Sequence, residues 1–537
     1  MIFYRKDMKL VKLPVERGIF VADYILEKLT VGAGRAPVGI DSALGSIIAG
    51  KLKTAPEKID YQILGKSIDS RKEPVIIYKL LISSNEKLDL PLASPEVSGV
   101  MKKAELPLPE KISLRNPVVV GTGPAGIFGA LVLAMAGTNP VIIDRGHDVE
   151  SRKTAWQKFL QDRELDTENN LLIGEGGAGA FSDGKLHTGT KDVNRRFILE
   201  EMIAAGAPPE IAYLSRPHVG SDKLPSVSIN LRRKIEALGG TFIWGKEVTG
   251  VINSGGRCGG VRCGREEIFA PAVLLAPGLG GRALVRSLSG MLNSCLKPFQ
   301  MGCRIEHPQS LIDRCQYHCT NRPAALGAAE YHLVSRPGDA WNVSSFCMCP
   351  GGNVVNATAW KKHSISNGMS NYSRNGEFAN SCLITTLPVD YFSSVDEAYT
   401  LIEKIETSLF AAGGGDYTMI AQDAAAFLNG RAGLKNKHTG CEVGIVPGRV
   451  DHLLVTEVQS ALRAALRFFD RKCPGFIRDG KFVGVESCVS SPLRFERNEK
   501  GESSLPGLFL AGEGVGAAGG ILSGAADGIR CALGILQ

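Results

Sequence analysis

Several things are missing from this 537-residue chain, and each absence narrows what it can be. None of its 13 cysteines forms a CxxC pair. No signal peptide precedes them, so free thiols in a reducing cytosol are expected. The longest apolar stretch, residues 125–137, falls short of the roughly 20 residues that cross a bilayer, so no membrane association is expected. Lys and Arg number 62 against 55 Asp and Glu, a net charge of +7 with both signs scattered. No block of like charge marks a nucleic-acid arm. No repeat or low-complexity tract occurs. No Ser–His–Asp set or carboxylate pair stands out, so hydrolysis has little support. Cys315 and Cys319 flank His318, but no second pair at zinc-like spacing follows, and no metal is expected.

Glycine, by contrast, is abundant. It accounts for 63 residues against a usual share of about 7%, and it clusters in short loops where backbone turns tightly or meets a ligand. Around these loops the chain divides into an N-terminal α/β module (1–105), a proline-bearing linker (106–117) and a nucleotide-binding unit (118–290). An inserted α+β domain (291–480) and a return to the nucleotide-binding unit (481–537) follow. In the first module residues 22–30 read as a short helix, 75–83 as a strand and 66–72 as a charged turn.

The strongest motif opens the second unit. Pro117–Val120 is an apolar strand, and Gly121-Thr122-Gly123-Pro124-Ala125-Gly126 turns the chain into the apolar helix 127–136. A second strand, 140–143, ends at Asp144 and Arg145. Strand, GxGxxG, helix, strand and acid together form a dinucleotide-binding unit. Gly121 permits the turn, Gly123 admits a pyrophosphate, and Gly126 lets helix and strand pack. Uncapped amides at the helix start hold phosphate, and Asp144 suits ribose hydroxyls.

Three later segments select FAD over NAD as the main cofactor. Residues 273–278 are an apolar strand ending in Ala276-Pro277-Gly278. Residues 241–251 are strand-like, with Val248 placed to meet an adenine. Residues 507–513 form a strand that runs through Gly512 and Glu513 into Gly519-Gly520, before a helix from Ile521. The fold class expected is α/β, with a Rossmann-like FAD-binding domain of glutathione-reductase type.

Five segments carry a wider resemblance: NLLIGEGGAGAFSDGKLHT (170–188), FCMCPGGNVV (346–355), NGMSNYSRNGEFANS (367–381), VESCVSSPLR (485–494) and LAGEGVGAAGGILSGAADGIRC (510–531). Together they resemble the uncharacterised FAD-dependent, or NAD(FAD)-utilising, dehydrogenases of bacteria and plastids, over nearly the whole chain. That family usually has Gly-His-Ser-Ala-Arg where this chain reads Gly278-Leu279-Gly280-Gly281-Arg282, and tends to Arg or Thr near Cys488. The resemblance places the loop of Gly176, Gly177, Ser182, Gly184 and Lys185 beside FAD, as an amide nest with Lys185 supporting charge on reduced flavin.

Cys347 and Cys349 have two readings, a redox pair or free core thiols alternating across a strand. The second is the commoner fate of buried cysteines. Arg494 is a candidate for holding an anionic substrate or the flavin. His218 either lines the site or caps the helix at 227–238. Arg304, Glu306 and His307 lie on a strand that faces either a cavity or water. The function expected is hydride transfer through flavin N5 to or from an unidentified small molecule, with NAD(P)H as a transient donor. The mild basic excess leaves a flavin-dependent RNA-modifying enzyme as an alternative, and a non-catalytic flavin-bound sensor as another.

Overall fold

A computed structural model of the chain describes residues 22–92, 104–186, 192–336, 338 and 340–537. Its first unit is an antiparallel sheet in which Val75–Ser84 lies between Ala22–Gly32 and Ile59–Asp69. Helix Leu44–Leu52 covers it, burying Leu44 and Ile48. Two expectations are corrected here. Residues 22–30 are strand, because a bulge between Leu26 and Leu29 turns consecutive Glu27 and Lys28 outward and imitates helical spacing. Lys66–Asp69, expected as a turn, completes the strand Ile59–Asp69.

The nucleotide-binding unit is built on five parallel strands in the order Leu508–Leu510, Val273–Leu275, Val118–Val120, Val141–Ile143, Thr241–Ile243. Strands so short and uniformly apolar are stable only when covered on both faces. Helix Pro124–Met135 supplies part of that cover and is buried continuously from Ala125 to Ala134, as a helix apolar on every side must be. Helix Ile521–Ile535 packs so closely on it that a Cβ at Gly528 would collide with the Ala125 carbonyl. The single strand expected over 241–251 is split. Its first part joins the parallel sheet, and Gly250–Ser254 opens a separate antiparallel sheet with Arg257–Cys263 and Glu266–Phe269.

The inserted domain is built on a seven-stranded sheet in the order Val334–Ser335, Val343–Cys349, Phe378–Leu387, Phe299–Pro308, Lys481–Glu486, Met419–Asp423, Ile445–Pro447, and Asn353–Asn356 pairs with Ser366–Met369 in a separate small sheet. Lys481–Glu486 pairs with Phe299–Pro308, so this sheet continues past residue 480. Helix Thr456–Lys472 buries Val458, Ala461, Leu462, Ala465, Leu466 and Phe469, one apolar stripe of helical period. The chain passes between the two domains at Ser294–Leu296 and again at Leu493–Phe495, and these passages pair antiparallel.

Cys315 and Cys473 are joined by a disulfide, with Cα atoms 5.3 Å apart. This corrects the expectation of free thiols throughout. The pair lies 158 residues apart in sequence, brought together by the ends of helices Gln309–Tyr317 and Thr456–Lys472. The other eleven cysteines are free. Among the described residues no helix is long and apolar enough to cross a membrane.

Candidate cofactor and substrate site

Strand order reverses beside Val118–Val120: the chain leaves on one side to Val141–Ile143 and returns on the other at Val273–Leu275. Open parallel sheets bind ligands at such a reversal, outside the carboxyl ends of the strands. A cavity of about 670 Å³ lies there. Gly121, Gly123, Pro124 and Ala125 of the first bend line it, and so do Gly512, Glu513, Gly519, Gly520 and Ile521 of the last. The bends touch: a Cβ at Gly512 would stand 3.3 Å from that of Ala125.

The first turn is held from below. Gly121 has φ 93°, and a Cβ there would strike the Ala276 carbonyl. A Cβ at Gly126 would strike the carbonyl of Gly121, so Gly126, expected among the cofactor-binding residues, packs the turn and does not line the cavity. Asp144 does line it. Its Oδ2 accepts from Thr122 N at 2.8 Å and Thr122 Oγ1 at 2.6 Å, and its Oδ1 from Gly146 N at 2.8 Å. Helix Pro124–Met135 has no capping side chain, which leaves first-turn amides for an anion.

Arg152 organises the second glycine loop. It is fully buried and donates to the carbonyls of Asn170, Glu175 and Gly177. Burial draws its guanidinium down to about 10. Gly177, Ser182, Gly184 and Lys185 line the cavity. Gly176, expected to, does not: its N–H bonds to the Thr122 carbonyl, tying this loop to the first turn. Asp183 is buried between two cations, with Lys185 Nζ at 2.7 Å and a two-point contact from Arg374 at 3.1 and 2.6 Å. Burial alone would raise its carboxyl, but Lys185 and Arg374 outweigh that and hold it at about 2. Burial likewise opposes charge on Lys185, and Asp183 keeps it protonated.

The remaining expected positions divide. Arg145, Val248, Ala276 and Gly278 line the cavity. Glu513 Oε1 accepts from Lys297 Nζ at 3.1 Å and Ser491 N at 3.0 Å. Arg494 is a correction: its side chain is exposed on the outer face of Leu493–Phe495 and donates to the Gly516 carbonyl, away from the cavity. His218 neither lines the cavity nor caps the helix, which starts at Leu224; its Nε2 meets the Tyr372 carbonyl at 3.0 Å. Arg304, Glu306 and His307 are buried, not in water. Arg304 bonds Glu486 through Nε at 2.9 Å and through a second nitrogen at 2.6 Å, and Asn380 at 2.7 Å.

The inserted domain closes the cavity with Phe346, Cys347, Trp360, Asn367, Gly368 and Glu486. Cys349 stands behind this wall and does not line it. Sequence reading missed Asn367, Gly368, Trp360 and Glu486. The motifs 367–381 and 485–494 contained three of them, but nothing local told which side chains face inward. The cavity suits FAD on direct grounds. A Cβ at Gly278 or Gly520 would meet nothing within 4 Å, so both leave open cradles, and each sits beside backbone able to donate to phosphate or ring oxygens.

A parallel-sheet reversal with two glycine bends on one cavity defines a dinucleotide-binding protein. Residues 298–489 match the family model described as FAD-dependent protein, C-terminal domain-like, so the protein is FAD-dependent. An uncharacterized protein of Clostridium beijerinckii (strain ATCC 51743 / NCIMB 8052) is 37% identical over 510 residues, covering 91% of this chain and 95% of that one. The chain belongs to the family of that clostridial protein. Among solved structures, a geranylgeranyl bacteriochlorophyll reductase-like protein from Thermoplasma acidophilum is similar over 79% of this chain and 78% of its own, at 11% identity and TM-score 0.34. Glycine oxidase from Geobacillus kaustophilus is similar over 78% and 92%, at 10% identity and TM-score 0.33.

Proposed function

We propose that the chain is an FAD-dependent oxidoreductase of the NAD(FAD)-utilising dehydrogenase kind, with a glutathione-reductase-type FAD domain, acting on a small molecule held against the inserted sheet. The observation that carries this is the single cavity shared by both glycine bends and the inserted domain. Bound FAD supplies the hydride chemistry.

The chain's own residues have separate tasks. The amides of Gly123 and Ala125 would hold the pyrophosphate, and Asp144, which fixes the turn, would accept from the ribose. Gly512–Ile521 receive the opposite end of the cofactor. Lys185, kept charged by Asp183, would offer a positive charge to the ring of bound FAD. Phe346 and Trp360 exclude water, while Asn367 and Glu486 offer polar contacts to a substrate. NAD(P)H, if it is the donor, binds transiently against the same cavity, since only one complete GxGxxG–acid unit is present.

The test is direct. Purified protein should be yellow and release FAD on denaturation. Under anaerobic conditions NADH, NADPH or a member of a metabolite panel should bleach the colour, and oxygen should restore it. Colourless protein that takes up no FAD refutes the reading. A yellow protein that no donor bleaches favours a sensor.

A further inference from the structure

In a regular strand, residues i and i+2 share a face with side chains about 7 Å apart. Cys347 and Cys349 depart from that. Cys347 has φ 44°, an uncommon conformation for a non-glycine residue. The register with Phe378–Leu387 shifts between Phe346 and Cys349, and the distortion is held in place. Arg304 donates to the Cys347 carbonyl at 3.3 Å, and Cys349 Sγ donates to the same carbonyl at 3.3 Å. The result is that one ammonium meets both sulfurs: Lys185 Nζ lies 3.9 Å from Cys347 Sγ and 3.7 Å from Cys349 Sγ.

We propose that Cys347 and Cys349 are a dithiol–disulfide couple that exchanges two electrons with FAD in the cavity that Cys347 lines. This rests on the oxidoreductase reading above and deepens it. In the oxidising direction both S–H bonds break and one S–S bond forms, while two electrons and two protons pass to bound FAD. The reverse direction restores the thiols.

The sulfurs have unequal roles. Cys347 faces the cavity and Cys349 is buried behind it. Hydrogen bonding from Cys349, against the cost of burial and with help from Lys185 and Arg304, draws the Cys347 thiol well below the usual range. Donating to Cys347, together with burial, pushes Cys349 up. Cys347, facing the cavity beside Lys185, takes the attacking role and Cys349, buried behind it, the resolving role, the inequality that speeds thiol exchange. Strained backbone at Cys347 is a cost that a merely packed cysteine would not need. The disulfide Cys315–Cys473 takes no part, since neither residue lines the cavity.

Holoprotein is oxidised with diamide or reduced with dithiothreitol, then alkylated, and the peptide spanning residues 347–349 is weighed. The expected result is two labels after reduction, and none after oxidation with a peptide lighter by two hydrogens. Anaerobic dithionite titration should consume about two more electrons per flavin in wild type than in Cys349→Ser. Cys349→Ser should also gain a long-wavelength thiolate–flavin absorbance that Cys347→Ser lacks. Full labelling of both thiols after diamide, or equal titrations, overturns the couple. If either variant fails to fold, the wild-type peptide decides alone. Colourless protein overturns this proposal together with the oxidoreductase reading, whereas yellow protein with unpaired thiols overturns the couple only.

Discussion

The carboxylate of Asp144 grips Thr122 twice, through its N–H at 2.8 Å and its hydroxyl at 2.6 Å. The acid at the end of the second strand therefore shapes the glycine turn as well as facing the cavity. Asp144→Ala should weaken FAD binding by about 1.5–3 kcal/mol, roughly ten- to a hundredfold. Thr122→Val keeps the amide bond and should lose about half as much. Fluorescence titration of apoprotein with FAD measures both.

Gly123 and Gly126 should separate binding from folding. Gly123 has φ −66°, and a Cβ there meets nothing nearer than Gly177 Cα at 4.0 Å. Gly123→Val should fold and be colourless, its side chain filling the phosphate path. Gly126→Ala forces a collision with the Gly121 carbonyl, and overpacking of this kind costs about 1–3 kcal/mol or more. Circular dichroism and FAD content distinguish the two outcomes, and yellow Gly123→Val protein would contradict the placement of the cofactor.

Removing Arg374 leaves Asp183 buried with Lys185 as its remaining cation. Arg374→Ala should destabilise by up to about 3 kcal/mol, below the usual range for a stranded buried charge because that second cation stays. A lowered thermal midpoint is the readout. Asp183→Asn in the same background should recover part of the loss.

His307 makes stability depend on pH. It is buried, its ring centroid 4.2 Å from that of Phe476, and its Nε2 bonds the Phe476 carbonyl at 2.8 Å. Burial lowers it from 6.5 to about 4. The folded protein thus refuses a proton that the unfolded chain accepts. The resulting stability is complete above pH 6.5 and is lost as pH falls towards 4, about 3 kcal/mol in all. Urea midpoints measured across that window should fall in wild type and stay flatter in His307→Gln.

The sequence showed the parts of the site whose logic is local. Strand, glycine turn, helix, strand and Asp144 lie within thirty residues, and each element constrains the next. Gly512 and Gly520 were legible for the same reason. What stayed hidden depends on distant pairing or on broken periodicity. Arg374 reaches Asp183 across 191 residues, and Cys315 finds Cys473 only after two helices pack. The bulge in Ala22–Gly32 gave a strand the apolar spacing of a helix. Arg494 alternates outward on its strand, and a short polar motif cannot say which way such a side chain turns.

The antiparallel pairing of Ser294–Leu296 with Leu493–Phe495 has a mechanical consequence. Two separate tethers would let the inserted domain tilt and slide in many directions. Stitched into one ribbon, they act as a single short strap and narrow the ways in which the inserted domain can shift against the nucleotide-binding unit.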